Sequence, residues 1–147
     1  MSKYQIIKKY EQTLVIVQDI LGDGVTSNLQ LDRLGFTTFE GDYLGTFSSN
    51  QFPKYIRNEQ CFILNTDPST KKGSHWVAFY KINNKLYYYD SFNRSKSELS
   101  KYWSKRRLYK ANKTDRDQSF EEKSCGSRAF TWLILMKKYG EKAIDVI

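Results

Sequence analysis

HWVAFYKINNKLYYYDSF occupies residues 75–92, and the reading of this stretch decides the fold. Two runs rich in aromatic and branched residues, HWVAFYK (75–81) and KLYYYDSF (85–92), flank Asn83-Asn84. Such runs suit strands, and two asparagines can supply the positive backbone angles of a tight hairpin turn. The stretch therefore predicts an antiparallel hairpin. In that pairing the start of the first strand lies beside the end of the second, so His75 meets Asp90. An acidic residue closing an aromatic run (YYYD) is out of place unless it is paired or functional. The plainer alternative is that Asp90 only caps the turn into Ser91.

Outward from the hairpin, CFILN (61–65) reads as a further buried strand and RRLYKA (106–111) as an additional edge strand. Residues 97–106 read as a polar surface helix. Tyr4, Ile7, Tyr10, Leu14, Val17 and Leu21 recur at steps of three and four, which predicts an amphipathic helix over 3–21 that ends at Gly22 and Gly24. A shorter helix is expected over 28–34, ending at Gly35. Residues 36–57, with GDYLGTFSSNQFP, read as an irregular loop region anchored by aromatics. After a polar stretch over 112–124, Ser124 stands where an N-cap belongs, and a helix runs from Cys125 to Tyr139. Its apolar run AFTWLILM (129–136) surrounds the helix almost completely, which predicts a buried central helix. Lys137 and Lys138 suit its C-terminal dipole, and Gly140 its end. Helices, then strands, then a buried helix imply an α+β fold with a mostly antiparallel central sheet.

A chain of 147 residues fits one domain, residues 1–147. At that length about 70% of the unfolded surface is buried on folding, so neither metal nor disulfide is needed. Eleven Tyr, nine Phe and three Trp against two Pro argue for a packed core. The two cysteines sit in different contexts. Cys61 opens a core strand and Cys125 opens a helix after a polar approach, so one buried and one functional thiol are expected in a reducing compartment. The N-terminus MSKYQIIKKYEQ is too polar for a signal peptide, and no apolar run nears membrane-spanning length, so a soluble chain with no membrane partner is expected. The net charge of +8 concentrates between Arg94 and Arg116, where only Glu98 and Asp115 oppose nine basic residues. Such a stretch can track phosphates by counterion release or form a solvated lysine-rich face.

A thiol attacks a carbonyl as thiolate, and a helix start with a nearby imidazolium lowers its pKa from about 8.5 to between about 3.5 and 7.5. Cys125 is placed to use the first effect. His75, the chain's one histidine, alone can supply the second. The imidazole needs an orienting carboxylate or amide, and Asp90 is its neighbour in the predicted hairpin. Acyl transfer also needs donors aimed at the developing oxyanion. The Cys125 N–H is one candidate, and Gln118, seven residues earlier on the loop feeding the helix, is the other. Taken singly, a cysteine at a helix start, a histidine at a strand end and a glutamine in a polar loop carry little. The combination is what points to a cysteine protease.

In combination these stretches resemble the adenovirus maturation proteases (adenain-like), with relatives in other large-virus and virophage lineages and SUMO-specific proteases in the wider clan. GDYLGTFSSNQFP looks like the family's N-terminal aromatic loop and CFILNT like its first core strand. GSHWVAFYK carries histidine followed by tryptophan, YYYDSF the acidic member, and QSFEEKSCG a glutamine, six intervening residues and Cys-Gly. The resemblance spans about residues 27–140. It implies a papain-like, adenain-like fold in which the buried helix carries the nucleophile. By the same resemblance Cys125 is nucleophile, His75 general base and acid, Asp90 orienter, Gln118 oxyanion donor, and Trp76 the wall of a narrow substrate channel. It further implies a viral endopeptidase that cleaves capsid or other virion precursors after glycine-containing motifs, in the virion and the host cytoplasm, with no cofactor and no metal.

Two departures stand out. Asp90 replaces the glutamate of adenain, as in the SUMO proteases. The stretch KRRLYKANKTDRD has no cysteine, so a disulfide-linked peptide activator is not expected, whereas its basic residues leave DNA as a possible partner. The helix over 3–21 has no evident counterpart in adenain. Other readings are a protease acting on ubiquitin or a ubiquitin-like protein, an acyltransferase with a similar triad, and a basic nucleic-acid-binding module. Aromatic interleaving in YWSKRRLYK gives the last its substance.

Overall fold

The computed structural model describes residues 1–22, 24–67, 75–111 and 124–144. Gln118, Lys113 and Arg116 lie outside the described residues. The elements run α1 (Lys3–Leu21), α2 (Asn28–Phe39), β1 (Tyr43–Phe47), β2 (Cys61–Asn65), β3 (Trp76–Ile82), β4 (Lys85–Tyr89), a single turn α3 (Lys96–Leu99), β5 (Tyr109–Lys110) and α4 (Cys125–Tyr139). The chain is α+β, as the sequence predicts. No helix among the described residues is long and apolar enough to cross a membrane.

The hairpin forms as expected. Asn83 and Asn84 take φ of 52° and 61°, and β3 and β4 pair antiparallel from Ile82↔Lys85 to Ala78↔Tyr89. The five strands lie in chain order, β1-β2-β3-β4-β5. The sheet is mixed: β2/β3 and β3/β4 are antiparallel, while both outer pairings, β1/β2 and β4/β5, are parallel.

Both sheet faces are covered, which is why the strands read as apolar runs rather than alternations. Cys61, Ile63, Ala78, Tyr80 and Tyr89 face α1, α2 and α4. Phe62, Leu64, Val77, Phe79 and Tyr88 face a second cluster with Leu99 and Trp103. There the Phe62 and Phe79 rings stack at 4.9 Å, and Trp103 meets Phe79 edge-on at 5.3 Å. Helix α4 is buried over most of its surface from Gly126 through Met136, with Arg128 and Ile134 partly exposed. Helix α1 packs on it through Ile6, Tyr10, Leu14, Val17 and Leu21, and Ser2 and Gln5 close its start as a capping box.

Several local expectations are corrected. The buried stripe of α1 runs through Ile6, while Tyr4 is exposed. Helix α2 does not stop at Gly35 but continues to Phe39, because Gly35 is where the Tyr43 ring crosses the helix. A Cβ there would lie 2.3 Å from Tyr43 Cε2. Residues 36–57 are not wholly irregular, since they hold the last turn of α2, a 3-10 turn and β1. The expected surface helix over 97–106 is only α3 plus a 3-10 turn, Lys101–Trp103, with Trp103 fully buried. The short β5 confirms an edge strand in RRLYKA.

Candidate active site

The carboxyl ends of β1, β2 and β4, the start of β3 and the start of α4 converge at one end of the sheet. Continuing the Ala78↔Tyr89 register by one residue sets Asp90 opposite Val77. His75 is then its diagonal neighbour on the same face, within reach of a side-chain contact. The contact is made: His75 Nε2 hydrogen-bonds Asp90 Oδ1, both side chains being buried. Cys125 is the other neighbour of the imidazole: its half-buried thiol and the ring shift each other's proton affinity. Three candidate residues, just before β3, just after β4 and at the start of α4, thus meet at one place. The fourth, Gln118, lies outside the described residues.

The electrostatics follow from these contacts. Burial alone would push the Cys125 thiol up. The His75 hydrogen bond and charge, with backbone N–H groups of Trp76 and Gly126, outweigh it and bring the thiol below its ordinary value. For His75, burial favours the neutral ring, but the hydrogen bonds and charges of Asp90 and Cys125 prevail and raise its pKa. Burial would raise Asp90 as well. His75 and then Arg94 overcome it and hold the carboxyl down to about 2. Cys61 is the contrast: fully buried, its thiol is pushed up to about 12 by desolvation.

Ser124 is the N-cap residue of α4, yet its side chain makes no cap bond. Its hydroxyl instead accepts from Arg128 Nε at 3.1 Å. The Ser124 hydroxyl therefore does not cap the first amides of α4, which lie beside the thiol, where they favour negative charge.

Trp76 lies against the start of α4. Its indole N–H donates to the Thr26 carbonyl at 2.9 Å. Thr26 and Trp76 together press on Gly126, where a Cβ would lie 2.9 Å from Thr26 Cβ and 3.2 Å from Trp76 Cδ1. The glycine after the cysteine is thus required by close approach. Beside Trp76 opens a groove of about 470 Å³, lined by Val25, Thr26, Phe47, Asn65 and Asp67 among others.

Sequence reasoning missed three contributors. Thr26, in the α1–α2 connection, carries no local signal, because its role depends on a partner 50 residues away. Arg94 read as one of a run of basic residues, yet its backbone N–H and Nε both donate to Asp90 Oδ2, at 2.9 and 3.0 Å. Its spacing of four from Asp90 was the available signal. Phe92 stacks on His75 with centroids 4.7 Å apart and planes 15° apart.

A second groove, of about 690 Å³, lies at the β5 side of the sheet and is lined by Lys54, Tyr55, Arg57, Lys105, Arg107 and Tyr109 among others. Tyr55 is almost fully exposed there, and the Arg106 guanidinium sits 3.9 Å over the Phe52 ring.

Comparison with known families gives one assignment: the family model described as adenovirus endoprotease matches residues 43–123, which is 81 of the chain's 147 residues. The match contains His75, Asp90 and Gln118 and stops two residues before Cys125. No curated protein matches the chain.

Proposed function

The chain belongs to the adenovirus endoprotease family, a family of viral cysteine endopeptidases acting on proteins, and from this premise we propose that Cys125, His75 and Asp90 are its catalytic residues. The observation carrying this reading is the buried His75–Asp90 hydrogen bond, with the Cys125 thiol coupled electrostatically to the same imidazole. In the resting enzyme the thiolate and imidazolium form a pair, with Asp90 holding the ring and its charge. The thiolate adds to the scissile carbonyl. His75 then delivers its proton to the departing amine, leaving an acyl-enzyme, and next takes a proton from the water that releases the acid. Asp90 keeps one tautomer and orientation throughout.

The developing oxyanion lies at the start of α4, where the Cys125 N–H is one donor. Gln118 is proposed as the second donor on its spacing to Cys125 and the family resemblance. Removal of one such donor commonly costs about a hundredfold or more in turnover.

The groove bounded by Thr26 and Trp76 would take the acyl side of the substrate. On the family resemblance we read the substrates as virion precursor proteins cut after glycine-containing motifs. We also read residues 1–147 as one protease unit, since α1 packs directly on α4. The basic groove supports a secondary reading of DNA as a partner: fixed cations beside exposed rings suit phosphates and bases.

Cleavage profiling on a peptide library, with and without duplex DNA at low and physiological salt, tests the proposal. Cuts should concentrate after glycine and vanish in Cys125→Ala with its fold unchanged. DNA stimulation should fade at the higher salt. Cleavage retained in Cys125→Ala contradicts the catalytic assignment, and salt-independent activity contradicts the DNA reading.

A further inference from the structure

We propose that Arg94 and Phe92 are positioning residues, which through one five-residue turn, DSFNR (90–94), lock both the plane and the tilt of the His75 ring. The inference rests on His75 and Asp90 acting as base and orienter.

The turn is built for the purpose by its own sequence. Asn93 takes a φ of 57°, a left-handed conformation that asparagine tolerates, and its N–H donates to the Asp90 carbonyl at 2.8 Å. The chain therefore folds back on Asp90. Phe92 N–H reaches Oδ1 at 3.2 Å, the oxygen that also meets His75. Oδ2 takes the N–H and Nε of Arg94. With both oxygens engaged on opposite sides, the carboxylate cannot rotate away from the imidazole.

The same turn brings two flat groups onto the Phe92 ring. Phe92 is stacked on His75, and the Arg94 guanidinium lies 5.0 Å over the Phe92 ring. Asp90 thus fixes the imidazole in its own plane, while Phe92, itself in contact with Arg94, fixes it from above. A cation stacked on a ring gains quadrupole attraction, so the Arg94 fork is held in two directions.

Among the described residues, the groups facing the imidazole that carry or change charge are Asp90 and Cys125. Arg94 acts at one remove, by drawing on the same carboxylate charge. Removing its cation leaves more of that charge to His75, so the imidazolium should keep its proton to higher pH.

The test compares Arg94→Leu, Arg94→Lys and Phe92→Leu with Asp90→Asn and Cys125→Ala. Its readouts are pH–rate profiles of peptide cleavage and melting temperatures. Arg94→Leu should lower kcat about tenfold or more with KM nearly unchanged, since small misplacement of a catalytic group is costly, and should move the basic limb of kcat/KM upward. Arg94→Lys should return the limb but not the full kcat, because an ammonium keeps the charge and loses the planar fork. Phe92→Leu should lower kcat without moving the limb. Wild-type kcat and an unmoved limb in Arg94→Leu would overturn the inference. If that variant does not fold, wild-type kcat in Arg94→Lys overturns it instead. Full activity in Asp90→Asn or Cys125→Ala defeats the underlying base and nucleophile reading, whatever Arg94 does.

Discussion

Asp90 has no exposed surface and still carries charge, because each of its oxygens meets a donor or a cation. That arrangement makes the protein's acid stability predictable in sign. The carboxyl is held at about 2, below its ordinary 3.8, so the unfolded chain binds its proton first as pH falls. The stability Asp90 contributes, on the order of 2 kcal/mol by linkage, is complete above the unfolded value and lost as pH drops through the folded one. His75 has the opposite sign. Its pKa is raised, so its contribution is complete below the unfolded value and fades as pH rises through the folded one. Melting temperatures measured from about pH 5 down to about pH 2 should fall more steeply for the wild type than for Asp90→Asn. Parallel slopes would mean that Asp90 is not a charged partner of His75. At this scale the sequence was informative where contacts follow from local pairing. His75 and Asp90 meet because Asn83-Asn84 fix a hairpin register. Arg94 was not legible, because nothing local says that its turn folds inward rather than joining the basic residues after it.

The start of α4 joins the thiol to Thr26 and Trp76. Gly126, next to Cys125, is covered by Thr26 and Trp76, and the Trp76 indole is tied to the Thr26 carbonyl. Gly126→Ala should therefore do two things at once. Its methyl would force Thr26 and Trp76 off the helix, an overpacking strain typically of about 1–3 kcal/mol. It should also lower kcat by about tenfold, by shifting the first turn that carries Cys125. Thermal melts and steady-state kinetics on the purified variant check both effects, and unchanged kcat would contradict the close approach. Glycines mark where element-level reading failed. Gly35 looked like a helix end because local signals cannot reveal the Tyr43 ring that requires it. The 19-residue α1 and the 15-residue α4, by contrast, announce themselves by periodicity and by an unbroken apolar run. Their stability comes from facing each other across one core.

Over the whole molecule, the sheet separates two unlike surfaces. One end gathers the thiol, the imidazole and the Trp76 groove, while the β5 side carries the basic groove. The double-sided burial of β2 and β3 makes this end rigid: five consecutive buried residues in each leave little freedom at the His75 end. That architecture was legible as α+β. The parallel outer pairings were not, because short edge strands take their direction from the connections and not from residue pattern. The central claim is that one of two thiols is activated by an imidazole brought from a distant strand. It is tested most directly by mass spectrometry after brief exposure, near neutral pH, to a peptide electrophile ending in glycine. One adduct on Cys125 and none on Cys61 is expected, and His75→Ala should lose the selectivity. Equal, slow labelling of both cysteines, or labelling of Cys125 that His75→Ala leaves unchanged, would contradict it.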